Sequence, residues 1–164
     1  MKKILALLAA AVLIGAVAFA LSNNRQAAPA FALKQLDGRT VSEKDFHGKV
    51  TLLNFWYPSC PGCVVEMPKL VALQKKLSAT PYQTIAISLN YNSEAEVRTY
   101  VAQHQLPFIV AYDADNQVGT AYDVQLAPMS FLIDPQGKIV RRYIGEPDWA
   151  QLEQEIVRLN ASLE

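Results

Sequence analysis

The chain has 164 residues with 15 basic and 15 acidic side chains, and 51% of it is hydrophobic. That length fits one domain with a core of its own, plus a short extra segment. Zero net charge excludes the basic excess of a nucleic-acid binder, and the lack of a second long apolar run excludes a multi-pass membrane protein.

Lys2 and Lys3 precede a run from Ile4 to Leu21 in which every residue but Gly15 is apolar. This is the pattern of a signal peptide or an N-terminal membrane anchor over residues 1–21. Ala16-Val17-Ala18 and Ala18-Phe19-Ala20 offer small residues for cleavage. The run is nevertheless longer than a usual signal core, and as a helix it spans about 27 Å, close to a bilayer core. The positive-inside rule keeps the two lysines in the cytoplasm and sends the rest across. Either outcome places the domain outside the cytoplasmic membrane, on the periplasmic side or the outer face, where disulfide chemistry operates.

Residues 22–30 read as a polar, small-residue linker, and residues 31–164 as the domain. Phe31-Ala32-Leu33 and Arg39-Thr40-Val41 flank the turn signal Asp37-Gly38, which predicts a hairpin. Val50 to Trp56 is a β-rich apolar stretch of the kind buried on both faces of a sheet. Val64, Met67, Leu70, Val71, Leu73 and Leu77 recur at helical spacing, with Pro68 inside the pattern as an expected kink.

Tyr82 to Leu89 predicts a second buried strand. Ser93 followed by Glu96 resembles a capping box that opens a helix to about His104. Phe108 to Ala111 predicts a short strand, and Gln117 to Tyr122 a helical turn. Met129 to Ile133 and Lys138 to Tyr143 predict strands joined by the turn Asp134-Pro135-Gln136-Gly137. Asp148 caps a last helix expected to reach about Leu163. Strands alternating with helices, then a hairpin and a helix, give an α/β fold with a central sheet flanked by helices.

The chain's two cysteines form Cys60-Pro61-Gly62-Cys63, where a strand gives way to a helix. A helix starting here puts the first thiol beside unpaired N–H groups and the positive dipole end, which stabilises a thiolate, the nucleophile of exchange. Pro61 suits the first helical position. The second thiol, one turn on, is placed to attack a mixed disulfide on the first. The pair also admits a structural disulfide, although so short a loop constrains the unfolded chain little. A metal site needs further ligands, and His47 and His104 lie far away in sequence. A peroxidatic cysteine is disfavoured, because Leu53 and Tyr57 stand where that pattern needs Pro and Thr or Ser.

The stretch from Val50 through Cys60-Pro-Gly-Cys63 to Pro68, with Asp37-Gly38 upstream and Ala127-Pro128 through Gly137 downstream, resembles the TlpA/ResA-like branch of the thioredoxin-fold family. These are extracytoplasmic thiol–disulfide oxidoreductases, typically membrane-anchored. The resemblance covers about Ala30 to Glu164. It implies a thioredoxin-like fold, with the 93–111 region as this branch's inserted helix and strand. It implies Cys60 as the attacking thiol and Cys63 as the resolving thiol. Pro128 matches the cis-proline against the active-site disulfide, which leaves the Ala127 backbone free to pair with an extended substrate. Glu66 matches the branch's glutamate after the second cysteine, and on a helix that spacing sets it on the Cys63 face. A partly buried carboxylate there exchanges protons with the thiols; the alternative is a solvated helix glutamate. Asn54 stands where thioredoxins proper carry a buried Asp, and it does not titrate.

Ser59 replaces a tryptophan common before the first cysteine, and Tyr57-Pro58 is an unusual lead-in. Pro-Gly also reverses the thioredoxin order. Trp56 reads as packing.

The expected function is reduction of protein disulfides through the Cys60/Cys63 dithiol, without a cofactor or bound metal. Relatives take electrons from membrane donors of the DsbD or CcdA type, act in cytochrome c and other redox-protein maturation, and are commonly monomeric. The alternatives are a disulfide-forming oxidant of the same fold and a non-enzymatic metallochaperone using the two thiols.

Overall fold

A computed structural model of the chain describes residues 25–161, together with Ile14 and Gly15. Apart from that pair, the signal or anchor expected at residues 1–21 lies outside the described residues, as do residues 22–24 of the linker and residues 162–164. Among the described residues, no helix is long and apolar enough to cross a membrane.

A five-stranded sheet organises the domain. In chain order its strands are β3 (Val50–Trp56), β4 (Tyr82–Leu89), β5 (Ile109–Asp113), β6 (Met129–Ile133) and β7 (Ile139–Ile144). They lie side by side as β5-β4-β3-β6-β7, with β3, β4 and β5 parallel and β6 and β7 antiparallel to their neighbours. The two central strands β3 and β4 are buried along their whole lengths. Their unbroken apolar, β-branched sequences are what a sheet covered on both sides requires.

Alternation along these strands sorts the core into two layers. Leu52, Trp56, Ala86 and Leu132 face one side, covered by α1 (Pro61–Lys76), α2 (Glu94–His104) and α4 (Trp149–Ala161). Leu53, Phe55, Ile85, Ile87 and Phe131 face the other. That second side is covered by the β1 (Ala32–Lys34) and β2 (Thr40–Ser42) hairpin, a 3-10 turn at Glu43–Phe46, and α3 (Gln117–Ala121). Each fully buried Leu, Ile or Phe contributes roughly 1.5–3 kcal/mol by leaving water.

The elements fall where the sequence places them. The Ser93 capping box forms, with Ser93 N–H donating to Glu96 Oε2 at 2.8 Å and Glu96 N–H to Ser93 Oγ at 3.3 Å. Asp148 Oδ1 accepts from Gln151 N–H at 3.0 Å at the start of α4. Helix α1 begins earlier than the apolar pattern, at Pro61, and continues through Pro68. The 3-10 turn is an addition. It is nucleated by Ser42, whose N–H donates to Asp45 Oδ2 at 2.7 Å.

Part of the expected linker is docked on the domain. Ala27 bridges Lys138 in antiparallel fashion, and Ile139 N–H donates to Gln26 O at 2.8 Å. Arg25 also pairs with the buried Asp134 at 3.2 Å.

Candidate active site

Strand β3 delivers the chain to the redox motif. After Trp56 the backbone turns, Cys60 becomes the N-cap of α1, and Pro61 occupies the first helical turn. Cys63 N–H, one of the orphan donors of the new helix, points at Cys60 Sγ at 3.1 Å. The two sulfurs are bonded, with Cα atoms 5.2 Å apart. Both residues are buried, Cys60 at 3% exposure and Cys63 at 1%. In the dithiol form the donor near Cys60 Sγ and the helix dipole both favour the thiolate.

The segment before β6 closes over the pair. The Ala127–Pro128 peptide bond is cis, and Ala127 O lies 3.6 Å from Cys60 Sγ. Gly62 lets the proline ring approach, because a Cβ at residue 62 would stand 3.1 Å from Pro128 Cδ. Gly62→Ala therefore sets a helix-propensity gain of about 1 kcal/mol against a similar packing cost. The expected result is a small change in urea stability with a clear loss in the rate of thiol–disulfide exchange. An unaltered rate would show that the contact is dispensable.

Three buried polar side chains meet beneath the helix. Asn54 on β3 and Ser130 on β6 are register partners, and Asn54 Nδ2 donates to Ser130 Oγ at 2.9 Å. The same amide reaches Glu66 Oε1 of α1 at 3.5 Å. Glu66 is 1% exposed, and its Oε2 has no hydrogen-bond partner. Burial, then the Glu146 carboxylate, push its carboxyl up to about 8, with Lys69 pulling the other way. Glu66 is therefore an acid inside the core and not a solvated helix residue. It shares the buried face of α1 with Cys63.

Ser59 and Tyr57, next to the motif, are tied to the segment that leads into α2. Ser59 N–H and Oγ both donate to Asn92 Oδ1, at 3.1 and 2.8 Å. Asn92 in turn donates to Glu96 Oε1 of α2 at 3.1 Å. The Tyr57 ring packs on exposed Tyr91 at 4.7 Å. Trp56 is fully buried against Tyr100 at 5.1 Å, a packing residue as expected. The sequence reading missed Asn92, Ser130, Lys69 and Glu146. Only Asn92 left a signal, as the polar residue preceding the capping box. Among the described residues, no group of three or more His, Cys, Asp or Glu side chains is arranged to hold a metal ion.

The site thus holds a cysteine pair at a helix start, a cis-proline across from it and a buried acid behind it. The redoxin family profile matches residues 23–157. The thiol–disulfide oxidoreductase ResA of Bacillus cereus is 38% identical over 126 residues, covering 77% of this chain and 72% of the relative. ResA of Bacillus subtilis is 33% identical, covering 72% and 65%.

Two solved structures are also similar. A Neisseria meningitidis protein described as a thioredoxin superposes with a TM-score of 0.77 at 46% identity, covering 83% of this chain and 91% of the other. A Chlorobium tepidum protein described as a DsbE-type thiol:disulfide interchange protein has a TM-score of 0.77 at 33% identity, covering 85% and 97%. With the fold, the disulfide and these relatives in agreement, the chain belongs to the redoxin family, as a thioredoxin-fold thiol–disulfide oxidoreductase of the ResA type.

Proposed function

We propose that this oxidoreductase works as a reductase of protein disulfides outside the cytoplasmic membrane, taken there by residues 1–21 as an anchor or a signal peptide. The observation that supports exchange through Cys60 is its placement as N-cap of α1, beside the N–H groups of the helix start; the reducing direction is the expectation that the family resemblance carries. In the dithiol form, the Cys60 thiolate attacks one sulfur of a substrate disulfide. The substrate's other sulfur leaves as a thiolate and takes a proton. Cys63, losing its proton to a nearby base, then attacks Cys60 in the mixed disulfide. The substrate departs as a dithiol and the Cys60–Cys63 disulfide remains, so two electrons and two protons have passed to the substrate. Glu66 is the group on the Cys63 face that exchanges the resolving thiol's proton. The backbone of Ala127, beside Pro128, pairs with an extended substrate strand.

No organic cofactor enters this cycle. The electrons return through a membrane donor of the DsbD or CcdA type, and the substrates belong to cytochrome c or other redox-protein maturation. The protein acts as a monomer. Direction depends on the relative stability of dithiol and disulfide. The test is the reduction potential of the Cys60/Cys63 couple. A reductase is expected to equilibrate near or below the glutathione range of about −220 mV. A potential near that of a strong oxidant, about −120 mV, would instead assign disulfide formation.

A further inference from the structure

Lys69 follows Glu66 on α1 by three residues, the spacing at which a lysine reaches a glutamate on one helix face. The structure shows a different pairing. Lys69 Nζ binds Glu146 Oε1, in the loop between β7 and α4. Trp149 Nε1 at the start of α4 donates to the same oxygen at 2.6 Å. Glu66 keeps only Asn54 at 3.5 Å on one oxygen and nothing on the other. A buried carboxylate with so little solvation, next to an ammonium that is bound elsewhere, keeps its proton well above the ordinary carboxylate range.

We propose that Glu146, fixed by Trp149, is a positioning residue: it holds Lys69 off Glu66 and so keeps Glu66 a carboxylic acid able to exchange a proton with the thiols. The proposal rests on the reading of Glu66 given above. The charged groups acting on Glu66 are Glu146 from the β7–α4 loop and Lys69 from its own helix. The strand side offers Asn54, itself bonded to Ser130, and neither titrates. Hydrogen bonds from Lys69 and Trp149 hold Glu146 below the usual carboxylate range, so it stays charged while Glu66 titrates.

Two partners of one ion pair thus have opposite effects on Glu66. Glu146 raises its proton affinity directly and by occupying Lys69. Lys69 lowers it. A merely structural salt bridge would make loss of either partner equivalent. Both side chains are partly exposed, so single replacements leave the fold intact, which thermal unfolding checks.

The experiment is a carbon-13 carboxyl titration of the full chain in its disulfide form, with the Glu66 signal assigned by its loss in Glu66→Gln. Glu146→Gln is expected to lower the Glu66 midpoint by about one pH unit as Lys69 turns to it, and Lys69→Gln to raise it. A midpoint unmoved in either variant, or moved the same way in both, overturns the proposal. The disulfide form performs no exchange. The outcome therefore stands apart from the pH–rate profile of Glu66→Gln, which tests the role of Glu66 itself.

Discussion

Cys60→Ser is expected to bring protein-disulfide reduction down to the uncatalysed rate. A serine hydroxyl is not ionised near neutral pH, so no nucleophile remains at the helix start. The loss is not a folding defect, because Ser is a preferred N-cap and keeps the start of α1 satisfied. Cys63→Ser is expected to behave differently. Its Cys60 still attacks, but the mixed disulfide is not resolved, and turnover stops after one event. Steady-state and single-turnover reduction of a protein disulfide by the two variants measure this directly. Full turnover by Cys60→Ser would overturn the assignment of the attacking sulfur.

The second large effect belongs to Glu66. Its carboxyl titrates near 8 in the fold against an ordinary value of 4.5. Between those values the folded protein holds a proton that the unfolded chain has released, so stability falls as pH rises. The contribution is fully present below about pH 4.5 and gone above about pH 8. The span is on the order of a few kcal/mol. Glu66→Gln keeps the shape of the neutral acid and has nothing to titrate. It is expected to remove most of this slope and to be the more stable protein at pH 9. Urea unfolding of the disulfide forms at pH 5 and pH 9 checks it, and an unchanged slope in the variant would place the titration elsewhere. The same replacement is expected to alter the pH–rate profile of thiol exchange. An unaltered profile would make Glu66 a structural residue.

Much of this architecture is legible in the sequence where local chemistry is strong. Val50–Trp56 and Tyr82–Leu89 are readable because a strand buried on both faces must be apolar throughout. Ser93 and Glu96 announce α2, and Pro61 beside Cys60 announces the start of α1, which the apolar periodicity alone sets too late. The roles of Pro128 and Glu66 come from family resemblance, since neither spacing nor composition dictates them.

What stays hidden depends on register and on loops. Asn54 meets Ser130 only because β3 and β6 pair antiparallel at those residues, and that meeting makes the polar pocket under the helix. The Lys69–Glu146 pair joins residues 77 apart in the chain, with no periodic pattern to link them. Ser59, read only as a departure from relatives, is the point where the redox motif is fastened to the inserted helix through Asn92.

The proposed cycle rests on one sulfur attacking and the other resolving. With a target disulfide protein, Cys63→Ser in its reduced form is expected to accumulate a covalent adduct through Cys60 that reductant dissolves, while Cys60→Ser accumulates none. Capture by Cys60→Ser with none by Cys63→Ser would contradict the account.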